Sequence, residues 1–122
     1  MKFNHFLTSY IPDLSIGFKT HFENMIEQSI FAEECGYNTV SIPEHHLVNL
    51  LMMPSPLQMA VKIATLTKNI NIATSVAVLP LHDMRTYAGE ISTADILTDG
   101  RLIFGVGRGA FAWEMNRLGS PI

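Results

Sequence analysis

A chain of 122 residues, 48% hydrophobic and 16% charged, suffices for one domain with a real core, and its polar content is too low for a disordered segment. A formal net charge of −3 with no long run of one sign gives no electrostatic case for nucleic acid or an anionic membrane as partner. The single cysteine, Cys35, excludes an internal disulfide framework and a multi-thiolate zinc site.

The first strand is expected near Lys2, after an N-terminus (Met1-Lys2-Phe3-Asn4-His5-Phe6) without a signal-peptide core, so cytoplasmic residence is the expectation. No apolar run approaches the roughly 18–20 residues that span a bilayer. A first helix follows. Thr20 with Glu23 reads as a capping box, Phe22, Met25, Ile26 and Ile30 recur at helical spacing, and Gly36 can supply the left-handed residue after the last turn. Cys35 at that helix end is expected to be buried.

The second strand starts near Asn38, and its apolar run Thr39-Val40-Ser41-Ile42 opens into the loop Pro43-Glu44-His45-His46. In the second helix Ser55 is the N-cap, Pro56 the first helical residue and Gln58 the residue reaching back, ahead of Met59, Ile63 and Leu66. A third strand runs from Ile70 to Val78. The third helix starts after Asp83, buries Tyr87, Ile91, Ala94 and Leu97, and stops at Asp99-Gly100. The fourth strand, from Arg101, contains Leu102-Ile103-Phe104-Gly105-Val106, and Ala110-Phe111-Ala112-Trp113-Glu114 can begin another helix after Gly107-Arg108-Gly109.

Strand starts separated by about 36, 32 and 31 residues match the roughly 30-residue βα unit of an eight-fold barrel. Alternating strands and helices also suit an open doubly wound sheet, and periodicity alone does not separate the two. In either case functional groups gather at the C-terminal ends of the strands. Glu44, His45 and His46, then Ser75 and Val76, then Gly107, Arg108 and Gly109 all fall there.

An imidazole can donate or accept a proton near neutrality, and a neighbouring carboxylate can orient it or fix the loop by a charge-assisted hydrogen bond. Glu44, His45 and His46, with His82 as a third imidazole, also invite a metal reading. Adjacent histidines on a loop diverge, however, where a metalloprotease helix needs them four apart on one face, so no metal is expected. Arg108 stands between two glycines ahead of a helix start, a setting in which backbone N–H groups and a guanidinium can bind phosphate. Gly105-Val106-Gly107-Arg108-Gly109-Ala110 is not the dinucleotide fingerprint, because its third glycine comes one residue early.

Ala32-Glu33-Glu34-Cys35-Gly36-Tyr37-Asn38-Thr39-Val40, then Glu44-His45-His46, Val78-Leu79-Pro80 and Gly100-Arg101-Leu102-Ile103-Phe104-Gly105-Val106-Gly107-Arg108-Gly109 resemble successive landmarks of the luciferase-like flavin-dependent monooxygenases. The resemblance implies an α/β fold of the TIM (β/α)8-barrel class, with residues 1–122 forming about its first four βα units, the N-terminal half. It implies an enzyme that uses reduced FMN and O2 to oxidise a small organic substrate, with a flavin reductase as partner and a homo- or hetero-oligomeric assembly. By the same resemblance His45 is the catalytic acid/base and Glu44 its support. Arg108 is the FMN phosphate ligand with Gly107, Gly109 and Ala110 around it, Ser75-Val76 is a non-prolyl cis peptide under the flavin ring, and Phe6 packs near the flavin.

Gly107 stands where some bacterial luciferases have a reactive cysteine, and Met84 where many relatives have proline, so neither light emission nor the substrate carries over. Two other readings are a flavin- or deazaflavin-dependent reductase on the same barrel and an inactive half-barrel that only associates. Met52 and Met53, in the loop after the histidines, are read as flexible fillers that could also line an apolar pocket.

Overall fold

The computed structural model describes residues 1–120. Its strands are β1 (Asn4–Phe6), β2 (Thr39–Ile42), β3 (Asn71–Thr74), β4 (Ala77–Val78), β5 (Leu102–Ile103) and β6 (Val106–Gly107); its helices are α1 (Gly17–Glu34), α2 (Pro56–Ala64), α3 (Met84–Leu97) and α4 (Ala112–Arg117). A parallel sheet has the order β1-β2-β3-β5, and β4 pairs with β6, also in parallel.

Register assigns each face its chemistry. His5, Val40, Ile72 and Leu102 lie level with one another, and so do Phe6, Ser41, Ala73 and Ile103. On the first face Val40, Ile42 and Ile72 are fully buried against Met25 and Ala32 of α1 and Met59, Ala60 and Ile63 of α2. Tyr87 and Ala94 of α3 continue this layer against Leu57, Ala77 and Leu102. On the second face Phe6 is 50% and Ile103 48% exposed, and among the described residues no helix covers them. A doubly wound sheet would have helices on both faces. Helices confined to one face of a parallel sheet are the arrangement of a (β/α) barrel, of which this is an open arc, with β1 and β5 as unpaired edges among the described residues.

Charged side chains fasten the bottom of the arc. Glu33 accepts hydrogen bonds from the backbone N–H groups of Lys68, Asn69 and Ile70, which fixes the entry to β3. Arg101 donates to Thr98 O, Ala64 O, Ile70 O and Thr67 Oγ1, tying α2, α3 and the start of β5 together.

Several details differ from the sequence reading. The first helix begins at Gly17, ahead of Thr20, because Asp13 caps a 3₁₀ turn (Leu14–Ile16) that runs directly into it. Ser55 occupies the N-cap position before Pro56 but makes no side-chain cap bond. Cys35 is exposed, since it follows the last turn of α1 on the solvent side, and Gly36 adopts the expected positive φ of 80°. Leu97 is 55% exposed, so α3 buries a narrower stripe than its spacing suggests. The third strand is interrupted at Ser75-Val76 and the fourth at Phe104-Gly105, which moves each C-terminal part into the β4–β6 pair. Among the described residues no helix is long and apolar enough to cross a membrane.

Candidate active site

The loop after β2 carries a carboxylate, that of Glu44, held by three donors in a fully buried position. Its Oε2 accepts from Val78 N (2.7 Å), and its Oε1 accepts from His46 Nε2 and His82 Nε2, each at 2.7 Å. Burial alone would raise the Glu44 pKa, but the hydrogen bonds from His46 and Val78, with the charge and hydrogen bond of His82, outweigh it and hold the carboxyl below the usual range. The hydrogen bond to Glu44 in turn raises the His46 pKa, against the opposing effect of burial. His82 lies flat on Tyr87, with ring centroids 3.7 Å apart and planes 3° from parallel. Glu44 therefore orients imidazoles as expected, but those of His46 and His82, while the His45 side chain turns elsewhere.

His45 is anchored by its backbone N–H to Met53 O at 2.9 Å. Its ring Nδ1 is buried without a hydrogen bond, 3.5 Å from Glu114 Oε2, and its ring centroid is 5.4 Å from that of Phe111. The other oxygen of Glu114 accepts from His46 N. One carboxylate from α4 thus serves two consecutive residues of the β2 loop.

After β3 the Ser75–Val76 peptide is cis, as the resemblance implies, and both residues are exposed. Gly105 O, which accepts from Thr74 Oγ1 (2.7 Å) and Ala77 N (2.8 Å), locks this segment to the one after β5. A Cβ on Gly107 would stand 2.5 Å from Val76 Cγ2, so glycine is what lets the two segments approach.

These three segments surround a cleft of about 340 Å³. Glu44, His45, Ser75, Val76, Gly107, Arg108, Gly109 and Ala110 all line it, together with Pro43, Val78, Phe111 and Glu114. Phe6 does not; it stands on the exposed face of β1. Arg108 is exposed and forms no ion pair among the described residues, leaving its guanidinium free for an anion. Among the described residues no group of His, Cys, Asp or Glu is arranged to hold a metal.

A larger groove of about 670 Å³ between α2 and α3 reaches His82 and Tyr87 but none of the glycine-rich segment. It is set apart from the chemistry despite its size. Another, about 540 Å³, meets His45 and His46 from the other side, with Phe18, Leu47, Met52 and Leu118 on its walls. Met52 thus borders an apolar groove, while Met53 is core.

Glu114 and Phe111 escaped the sequence reading as site residues, and His82 entered it only as a possible metal ligand, without its stack on Tyr87. Glu114 follows the Gly-Arg-Gly loop closely enough to return to the cleft, but that its carboxylate is buried depends on contacts across 68 residues, which local pattern does not reveal.

A family model described as luciferase-like monooxygenase matches residues 1–122. The chain belongs to the luciferase-like monooxygenase family. Within this family it is 42% identical over 99 residues to an uncharacterised protein of Sinorhizobium fredii, covering 81% of this chain and 28% of the relative. It is 32% identical over 100 residues to the oxygenase component of the flavin-dependent trigonelline monooxygenase of Acinetobacter baylyi, covering 82% of this chain and 28% of that protein. The oxygenating constituent of 3,6-diketocamphane monooxygenase from Pseudomonas putida, solved in complex with FMN, superposes with a TM-score of 0.90 at 24% identity, over 98% of this chain and 32% of that one. This luciferase-like chain therefore folds as an open arc of the family's barrel and spans about a third of the length of the relatives it matches.

Proposed function

We propose that residues 1–122 form the N-terminal half of an FMN-dependent monooxygenase barrel and carry much of its cofactor site. The observation behind this reading is the cleft itself, in which Arg108, the small-residue loop Gly107-Gly109-Ala110 and the Ser75–Val76 peptide meet Glu44 and His45. The residues present fit FMN. Arg108 supplies a free bidentate cation for a phosphate, and the exposed Val76 beside the side-chain-free Gly107 lines the same cleft of about 340 Å³. Bound in reduced form, FMN would supply the electrons with which O2 is activated to oxidise a small organic substrate. The chain's own residues would orient it and move protons. Arg108 holds the phosphate, Gly107 allows close approach, and His45 gives or takes a proton at its ring nitrogen facing the cleft. Glu44, engaged by His46, His82 and Val78, keeps the loop bearing His45 in place.

A flavin reductase is the expected partner, since an oxygenase component of this kind needs reduced flavin from outside; the similar Acinetobacter protein is itself named an oxygenase component. The uncovered apolar face with Phe6 and Ile103 calls for cover, by further barrel strands or by another chain in a homo- or hetero-oligomer. Anaerobic calorimetric titration with photoreduced FMN, with and without Arg108→Ala, tests the reading. Micromolar binding lost in the variant is expected; equal binding by both proteins would dismiss Arg108 as the phosphate ligand, and no binding by either would dismiss a working site on this chain.

A further inference from the structure

We propose that Glu114 is a positioning residue that holds His45 in the Nδ1–H tautomer, leaving Nε2 as the lone-pair nitrogen presented to the cleft. This rests on the reading of His45 as the acid/base group. Three observations carry it. The Nδ1 atom of His45 is buried and lacks a hydrogen-bond partner, although the ring as a whole retains 22% of its exposure. The accessible edge of the ring is therefore the one bearing Nε2. The nearest acidic atom is Glu114 Oε2 at 3.5 Å, on a side chain only 6% exposed. Finally, Glu114 Oε1 accepts from the backbone N–H of His46, so the carboxylate cannot turn away from the ring without giving up that bond.

In a neutral imidazole one nitrogen bears the proton and the other the lone pair. A lone pair on Nδ1 would face the carboxylate oxygen in a buried, weakly screened setting, which repels; a proton there attracts. A separation of 3.5 Å is slightly beyond a hydrogen bond, and catalytic contacts of this length commonly tighten when the site fills. The geometry thus selects one tautomer, and with it which nitrogen can accept a proton from a group in the cleft. Glu44 does not do this for His45: its carboxylate accepts from His46, His82 and Val78, and among the described residues it is Glu114 that stands beside the His45 ring.

The test is two-bond ¹⁵N–¹H correlation on the ¹⁵N-histidine-labelled, flavin-free protein, with the His45 signals assigned by their loss in His45→Gln. The neutral ring is expected to show Nδ1–H in the unaltered protein, and Glu114→Gln is expected to lose that excess while Glu114→Asp keeps it in part. An Nε2–H form in the unaltered protein overturns the proposal whether or not any variant folds. So does an unchanged tautomer in a folded Glu114→Gln. Because the glutamine oxygen can still accept from His46 N–H, a little-changed His46 amide signal would show that Glu114→Gln keeps the loop in place and that the tautomer change comes from the lost charge. Because the measurement needs no flavin, a failure of FMN binding and a failure of this assignment remain distinguishable.

Discussion

Gly107 and Val76 face each other so closely that a single added methyl on the glycine would stand 2.5 Å from Val76 Cγ2. Val76 is β-branched and stiff at χ1, so relieving the clash costs it its rotamer or shifts the backbone. Gly107→Ala is expected to cost about 1–3 kcal/mol, and the larger Gly107→Cys at least as much. In each case Val76→Ala in the same chain should recover a large part. Urea denaturation of the single and double variants measures it; strictly additive losses would show that the two residues do not press on each other. Gly105→Ala should be worse than either, because its Cβ would overlap the Thr74 carbonyl oxygen, a backbone atom with nowhere to move.

Removing the charge from Glu44 should be among the most damaging single changes. Glu44→Gln leaves three donors sharing an amide that accepts through one oxygen only, in a fully buried position. A loss of about 3–5 kcal/mol is expected from chemical denaturation, since one side of a buried charged network has been withdrawn. A loss below about 1 kcal/mol would mean that water reaches the site and replaces the bonds.

The same cluster sets a pH window. His46, whose folded pKa lies above the ordinary 6.5, contributes stability that is complete below pH 6.5 and is lost as pH rises through that raised value. Glu44, held beneath its ordinary 4.5, contributes stability present above pH 4.5 and lost as pH falls through its depressed value. His21, buried with Nε2 unpartnered, has its pKa lowered by burial, so its contribution is present above pH 6.5 and is lost as pH falls through that lowered value. Stability measured across pH should therefore fall on both sides. His46→Gln should flatten the alkaline limb, while Glu44→Gln should leave the part of the acid limb that belongs to His21. An unchanged alkaline limb in His46→Gln would contradict the assignment.

Tyr87 makes the opposite prediction. Its hydroxyl is buried without a partner, and burial, with the nearby charges of Glu44 and Glu90, pushes its pKa up to about 12. Tyr87→Phe removes an unsatisfied polar group and keeps the ring against His82, so it should be neutral or stabilising by about 1 kcal/mol. A clear loss of thermal stability would point to a water bound at that oxygen.

Arg101 tests whether geometry or charge fastens the lower end of the arc. Its guanidinium reaches four acceptors on three segments, which an ammonium group cannot span. Arg101→Lys should cost about 2–3 kcal/mol by denaturant titration, at roughly 1 kcal/mol for each bond lost. A cost near zero would mean that the positive charge alone suffices.

Much of the fold was legible because its signals are local. Pro56 starting α2, Asp83 before α3 and Gly36 closing α1 depend on backbone chemistry within a few residues, and each stands where its type suggests. Strand spacing gave the number of βα units but not which sheet geometry they adopt, which became clear only from helices lying on one face. The breaks at Ser75-Val76 and Gly105 escaped the pattern because apolar runs continue through them; what bends the chain is a pair of hydrogen bonds to Gly105 O from residues 28 and 31 positions earlier. At the site, residue types at strand ends pointed to the cleft, yet the partnership of each imidazole did not follow from adjacency. Glu44 serves His46 and His82, and His45 lies instead beside a carboxylate from the last helix.

That last relationship bears on how the molecule comes apart. The bond between His46 and Glu114 joins residues 68 positions apart and depends on α4, which is only six residues long and largely exposed. A short, exposed helix held by few long-range contacts belongs to the low-stability end of a structure, so local opening of α4 is expected to release the cleft before α1 to α3 loosen. Under gentle heating, hydrogen exchange at His46 and in α4 should quicken well before that of β2 or β3, and the cleft would come apart while most of the helical signal is still intact.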